Sequence, residues 1–416
     1  MMSSAGAAIV DITPSPGLAM SGFAARTEPA TGAHDRLTAR ALVVDDTAIV
    51  VADVLGLHEA MSRRIRARCG LPPERVIVAA VHNHGGPASM QGRAAGGTNP
   101  VYLKRLEDGC VAALQQAVAN RRPATLSIGM GADPDIARNR RHDGGTVDTA
   151  LPVLRVRGAD GEMIAVMTSY ACHPVVLGAD NRLWTADYPH FVREAIEARY
   201  PGAVALFLTG CAGDANNGHK PQDSVTLAAN PARTFAAAEQ VGRTIAAAVL
   251  AAPEAPAGAG VVAADTEVSL TFERLEREPM AVLAAQWERE RTEASPSRAV
   301  LLGHWITWAR TAPLPPFAPW VGRVALLRWG EVPIVALPGE IFAETGLSIR
   351  AALEHRPAFV IAYAESVPGY IPPVSEFRFG GYEVDEAHRF IGMPAAFAAG
   401  SAEALAAAAI DLTRRA

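Results

Sequence analysis

Cysteine is scarce and badly placed for pairing. The four residues Cys69, Cys110, Cys172 and Cys211 lie far apart and form no Cys-x-x-Cys pair. That argues against a disulfide framework and leaves four buried free thiols as the reading. A basic surplus is missing too: 38 Lys and Arg stand against 43 Asp and Glu, a formal net charge of -5. Such a balance excludes nucleic acid and anionic membrane as principal partners. The one local basic run, Arg138, Arg140 and Arg141, reads as a pocket wall. Long apolar stretches are absent as well, since the Ala-rich runs near Ala246 and Ala406 are too short and interrupted to span a bilayer. Residues 1–12 lack a basic n-region before an apolar core, so no signal peptide is read and a cytoplasmic protein is expected. What is present is ample core material, with 50% hydrophobic and 19% charged residues in a chain of 416. That fits a compact enzyme-like body.

Three segments share one plan: two β-rich runs joined as a hairpin, a helix, then a third strand. The first covers 41–53, a helix over 59–69 and a strand over 76–81 that leads into His82-Asn-His84. The second has strands over 153–156 and 163–170 around a Gly158-Ala-Asp-Gly161 turn. It continues with a helix over 188–198 and a strand over 204–208 that ends in Gly210-Cys-Ala-Gly-Asp-Ala-Asn-Asn217. The third has strands over 324–329 and 334–337, a helix over 342–353 and a strand over 359–363. Dense β-branched runs bounded by Gly, Pro and Asp are strand signals, and the amphipathic stretches between them read as helices. The expected fold is therefore α/β, with mixed sheets built from three β-β-α-β-like units around a central metal site. Asp53, His173 and Glu340 end the second strand of each unit, and loops at strand ends commonly build sites. Between the second and third units, 279–294 reads as helical. The proline-rich stretch 311–320 reads as an ordered extended loop with its aromatics near the pocket mouth.

The chemistry-bearing residues sit at these strand ends. In His82-Asn-His84-Gly-Gly-Pro87, residues i and i+2 of an extended strand point the same way, so both imidazoles can face one site. Neutral imidazole is a common ligand for Zn²⁺. Cys172-His173-Pro174 also closes a strand. Glu340, in Leu337-Pro-Gly-Glu340, closes another and opens a helix, where a carboxylate also suits the helix dipole. Asp214 follows a glycine after a strand, as a turn residue or as an acceptor for a ligand histidine. Arg140 binds a substrate carbonyl or carboxylate, or pairs with surface acids. His34, His58, His142, His190 and His219 are read as surface or core histidines.

Taken in order, these motifs make the chain resemble the catalytic N-terminal domain of the neutral/alkaline non-lysosomal ceramidases, and more closely the short bacterial proteins with that domain alone. The resemblance runs from Asp11-Ile-Thr-Pro14, Gly22-Phe23 and the stretch 32–40 through Val81-His-Asn-His-Gly-Gly-Pro87 and Asn139-Arg140. It continues through His173-Pro174, Gly213-Asp214, Pro338-Gly-Glu340 and Gly381-Tyr-Glu383. It implies a single catalytic domain over 1–416 without the C-terminal β-sandwich of full-length members, the chain ending about thirty residues past Tyr382. It implies zinc amidohydrolase chemistry on an N-acyl bond, with Zn²⁺ on His82, His173, Glu340 and Tyr382, and with His84 and Arg140 facing the scissile amide. One departure matters. The family's Gly-Asp-x-Ser-Pro-Asn reads Gly213-Asp-Ala-Asn-Asn-Gly218 here, so Asn216 replaces a serine sometimes cast as nucleophile, and activated water is left to attack.

The expectation is thus a zinc hydrolase of a small or lipid-like amide, with Asp214 orienting a ligand or moving a proton. A membrane lipid is the less favoured substrate, because no β-sandwich and no signal peptide are read. The alternatives are a zinc hydrolase of an ester, lactone or glycoside, and a non-catalytic binding protein with a structural metal.

Overall fold

A computed structural model describes residues 2–94, 97–220, 225–354 and 356–415. The first large sheet takes its main strands from the first half of the chain: β1 (Ser3–Asp11), β2 (Thr38–Val44), β3 (Thr47–Ala52), β4 (Val76–Ala80), β5 (Arg122–Gly131), β6 (Leu151–Gly158), β7 (Met163–Tyr170) and β8 (Val204–Thr209). They run in the order β8-β7-β6-β5-β1-β2-β3-β4, and the short strand Ala255–Gly258 adds to β5. A second, four-stranded sheet follows in the order β9 (Val261–Leu270), β10 (Trp320–Trp329), β11 (Val332–Ala336) and β12 (Phe359–Ile361).

Strands such as β2, β3, β4 and β8 are almost uniformly apolar because both of their faces are covered, whereas β5 and β9 keep exposed polar positions. In β2 and β3, Leu42, Val44, Ile49 and Val51 face the second sheet and pack with Leu327, Trp329, Ile334, Phe359 and Ile361. Their neighbours Ala41, Val43, Ala48 and Val50 face outward onto helices α1 (Glu59–Arg68) and α2 (Pro100–Ala119). At the other end of the sheet, α3 (Tyr188–Arg199) and α4 (Phe235–Ala251) cover Val153, Val166 and Phe207. The chain then runs through α5 (Met280–Glu293) and α6 (Pro296–Thr311), while α7 (Ala343–Ala352) and α8 (Ser401–Arg415) cover the outer face of the second sheet. The result is a helix–sheet–sheet–helix stack, a mixed α/β fold. A one-residue slip would turn the faces of a strand over, so this alternation fixes the register.

Local pairings repeat. β2 and β3 are antiparallel, and β3 then runs parallel to β4 across α1. β6 and β7 are antiparallel, with β7 parallel to β8 across α3. β10 and β11 are antiparallel, with β11 parallel to β12 across α7. The two sheets are stitched where these strands end. Thr209 O accepts from Ala362 N at 3.1 Å, and Tyr363 O accepts from Ala80 N at 3.0 Å.

The stretch after the second unit is more regular than the sequence suggests. It holds two helices, α5 and α6, packed on a small core of Trp287, Trp305 and Trp308. The proline-rich loop is not at the pocket: Phe317 meets Phe272, and Trp320 meets Phe397. Among the described residues no helix is long and apolar enough to cross a membrane.

Candidate metal centre

His82 follows β4 with φ 68°, in the left-handed region that a non-glycine residue occupies only when its surroundings hold it there. The holding groups are visible. His82 N donates to Val54 O at 3.0 Å, its Nδ1 lies 2.6 Å from Leu55 O, and the Tyr363 ring stacks on its face at 4.0 Å. His82 and His84 do converge, but through this turn and not through strand alternation. Gly22 permits the approach of His84, since a Cβ there would come within 2.5 Å of the imidazole.

His173 lies just beyond β7, fully buried, with Nδ1 3.1 Å from Ala212 O. Glu340 arrives from the second sheet through Pro338-Gly-Glu340. Gly213 lets the loop after β8 press against it, because a Cβ at Gly213 would stand 2.6 Å from Glu340 O.

Three atoms then meet. His82 Nε2 lies 2.8 Å from His173 Nε2, and Glu340 Oε2 lies 3.1 Å from the first and 3.6 Å from the second. A backbone carbonyl only accepts, so each Nδ1 beside one must carry the proton. Both Nε2 atoms are then lone-pair acceptors, and their 2.8 Å separation is not a hydrogen bond. Glu340 Oε2 is buried and lacks a hydrogen-bond partner. Burial drives the His173 imidazole well below the usual histidine range, so it is neutral, the form that ligates metals. Three buried acceptors facing one another repel unless a cation sits among them. Tetrahedral ligands with bonds of about 2.0–2.1 Å stand about 3.3 Å apart, within the 2.8–3.6 Å spread found here. The donor set fits a metal ion.

His84 adds a further nitrogen. The ligand-capable nitrogens of His82, His84 and His173 lie within 4.8 Å of one another, so this triad could hold a metal. Both ring nitrogens of His84 are buried without a hydrogen-bond partner, and burial, then His82, lowers its basicity well below the ordinary value.

The remaining expected residues surround this cluster. Arg140 donates from Nη2 to Gly213 O at 2.9 Å and to the Tyr370 hydroxyl at 2.8 Å. Its Nε stands 2.8 Å from Glu383 Oε1, an ion pair without the alignment of a hydrogen bond. Tyr382 lines the same hollow as His82, His84, Glu340 and Tyr370. That hollow adjoins a cavity of about 100 Å³ walled by His84, Arg140, Tyr370 and Tyr382 together with Val175, Leu301 and Phe390.

Two expected roles move. Asp214 touches no ligand histidine: its carboxylate accepts from Ala343 N at 2.8 Å and from Asn139 Nδ2 at 3.0 Å, and its carbonyl accepts from Arg140 N at 2.9 Å. It ties the Glu340 loop to the Arg140 strand, and burial pushes its carboxyl up to about 6. Asp53, equivalent to His173 and Glu340 along the chain, points elsewhere, into a buried pair with Arg193 at 2.6 Å. The sequence reading missed Tyr363 and Tyr370. Tyr370 pairs in register with Glu340, and Pro368-Gly-Tyr370 repeats the Pro338-Gly-Glu340 pattern, a signal that could have flagged it. His219, read as a surface or core residue, also lines the cavity.

Fold and site together define a mixed α/β protein with a buried histidine–carboxylate centre beside an internal cavity. The family model described as neutral/alkaline non-lysosomal ceramidase, N-terminal, matches residues 4–214, and the chain belongs to that family. The neutral ceramidase of Pseudomonas aeruginosa is 26% identical over 228 residues, which cover 47% of this chain and 34% of that protein. The match therefore spans about a third of that relative's length. The crystal structure of neutral ceramidase from P. aeruginosa superposes with a TM-score of 0.76 at 19% identity, covering 100% of this chain and 75% of that one. A structure described as ceramidase complexed with C2 gives a TM-score of 0.74 at 18% identity, covering 100% and 76%. At these identities the superpositions establish the shared fold.

Proposed function

We propose that this chain is a zinc-dependent amidohydrolase that cleaves an N-acyl bond of a small or lipid-like substrate. The observation that carries the reading is the meeting of His82 Nε2, His173 Nε2 and Glu340 Oε2 beside a cavity, with no donor among them. These three would hold the ion, with a tyrosine oxygen from Tyr382 or Tyr370 as a further ligand. A zinc ion bound there supplies Lewis acidity and lowers the pKa of water from 15.7 to about 7.

The chain's own groups supply the rest. Arg140 is fixed by Gly213, Tyr370 and Glu383, with its guanidinium on the cavity wall, where it binds the amide carbonyl and stabilises the oxyanion that develops. A well-placed donor of this kind is worth about 3–4 kcal/mol in the transition state. His84 has both nitrogens uncommitted, so it can take a proton from the attacking water and hand it on to the departing amine nitrogen. Asp214 positions Arg140 and the Glu340 loop. Asn216 is occupied in a turn: its Oδ1 accepts from Gly218 N at 2.8 Å and from His219 N at 2.9 Å. It offers no nucleophile in place of the family serine.

The family's members are named as ceramidases, and the N-acyl amide is the bond carried over to this chain. Metal analysis of untagged protein, with a panel of N-acyl amines, lactams, esters and glycosides, tests the proposal. Near-stoichiometric zinc and chelator-sensitive amide cleavage, both lost in His173→Ala, are expected. Zinc-free protein, or activity that survives His173→Ala, overturns it.

A further inference from the structure

The segment after Gly381 forms a single π-helical turn, Tyr382–Glu386, closed by Ala387 N donating to Tyr382 O. A π-turn is wider than an α-turn and is frequent at functional sites. Here it brings Tyr382 and Glu386, four residues apart, onto the wall of one cavity, while Glu383 and Val384 turn inward and are buried. Tyr382 also borders the hollow beside the metal centre. Glu386 does not, so its carboxylate stands further along the cavity, away from the reacting end.

Glu386 differs from the other charged side chains of that wall. Among the described residues it has no hydrogen-bond or ion-pair partner. Arg140 is committed to Glu383, Gly213 and Tyr370. Arg233 is held by the carbonyls of Val175, Val176 and Leu177, and neither His219 nor Lys220 is without a partner. The cations nearest Glu386 are spent as well. Arg389 pairs with Glu276 at 2.9 Å, and Arg298 donates to Glu290 at 2.8 Å. Burial raises the Glu386 carboxyl above the usual glutamate range, even though both arginines pull it down. A half-buried carboxylate with its acceptor sites uncommitted, beside apolar Leu301 and Phe390, is poised for a cation brought by a ligand.

We infer that Glu386 sets substrate preference by binding an ammonium group on a side arm of the amide substrate, away from the scissile bond. The substrate class is then a cationic N-acyl amine, such as a monoacylated diamine. This deepens the amidohydrolase proposal and rests on it for the word substrate.

The test is equilibrium binding, which reads recognition without turnover. The probes are a monoacylated diamine and its neutral counterpart with the free amine acetylated, titrated against wild type, Glu386→Gln and Glu386→Lys. Wild type should bind the cationic amide about tenfold or more tightly than the neutral one. Glu386→Gln, nearly isosteric, should bind both alike, and Glu386→Lys should disfavour the cation. Equal binding of both probes by wild type overturns the inference, as does a cation preference that persists in Glu386→Gln. Failure of every amide to be cleaved, with the binding preference intact, counts against the hydrolase reading and leaves cation recognition by Glu386 standing.

Discussion

Replacing Arg193 by methionine should unfold this protein far more readily than its distance from the cavity suggests. Asp53 is fully buried and accepts from Thr38 N and Thr38 Oγ1, each at 2.7 Å, and from both Arg193 nitrogens at 2.6 and 3.1 Å. Arg193→Met keeps the volume of the side-chain stem but strands the carboxylate with two donors and no paired counter-charge. Stranding one partner of a buried pair costs about 3–5 kcal/mol. Arg40 lies nearby but is engaged with Glu197 and with Ala205 O at 2.9 Å, so it offsets only part of the loss. The lower end, about 3 kcal/mol, is therefore expected, roughly a hundredfold in the unfolding constant. Urea unfolding read by near-UV circular dichroism should show a lower midpoint at unchanged slope. The double variant Asp53→Asn with Arg193→Met removes both charges and should recover most of the loss. Two results would refute the reasoning: a single variant within about 1 kcal/mol of wild type, or a double variant no more stable than the single.

Two further outcomes can be checked quickly. Burial would raise the Glu59 carboxyl, but Arg93, at 2.7 Å, outweighs it and holds it at about 2. Because the folded value is depressed, this contribution is present above the ordinary value of 4.5 and is lost as pH falls toward about 2. The melting temperature should accordingly drop less between pH 6 and pH 3 in Glu59→Gln than in wild type, and equal drops would refute it. Tyr370→Phe and Tyr382→Phe should differ in bound metal after dialysis, with the greater loss marking the tyrosine that ligates. Full retention in both would remove tyrosine from the ligand set.

Much of the layout was legible because several strands in each sheet are buried on both faces. Strands such as β4, β8 and β11 then appear as short apolar runs, which no amphipathic helix imitates. The polar residues that interrupt those runs marked His82, His173 and Glu340. Sequence patterning could not tell which of the equivalent strand ends share a site. Asp53 and His173 end comparable strands, yet a buried arginine from α3 claims the first and a carbonyl orients the second. Tyr363 was hidden for another reason. Its role depends on packing against His82 across the seam between the sheets, which no local pattern reports. Helix α6 was overlooked because Pro296 opens it and tryptophans crowd it, although proline is well suited to a helix's first turn.

The seam between the two sheets also bears on how the protein is assembled. His82 and His173 come from the first sheet, whereas Glu340 comes from the second, so neither half of the chain holds the full acceptor set. Contacts so distant in sequence form late in folding, because loop-closure entropy must be overcome first. High-affinity metal uptake should therefore follow the docking of the sheets rather than template it, and bound metal would stabilise the closed seam by mass action. A fragment confined to residues 4–214, the span shared most clearly with the family, carries the three imidazoles of His82, His84 and His173 without the Glu340 carboxylate. It would hold an ion less tightly than the whole chain, however well its own sheet folded.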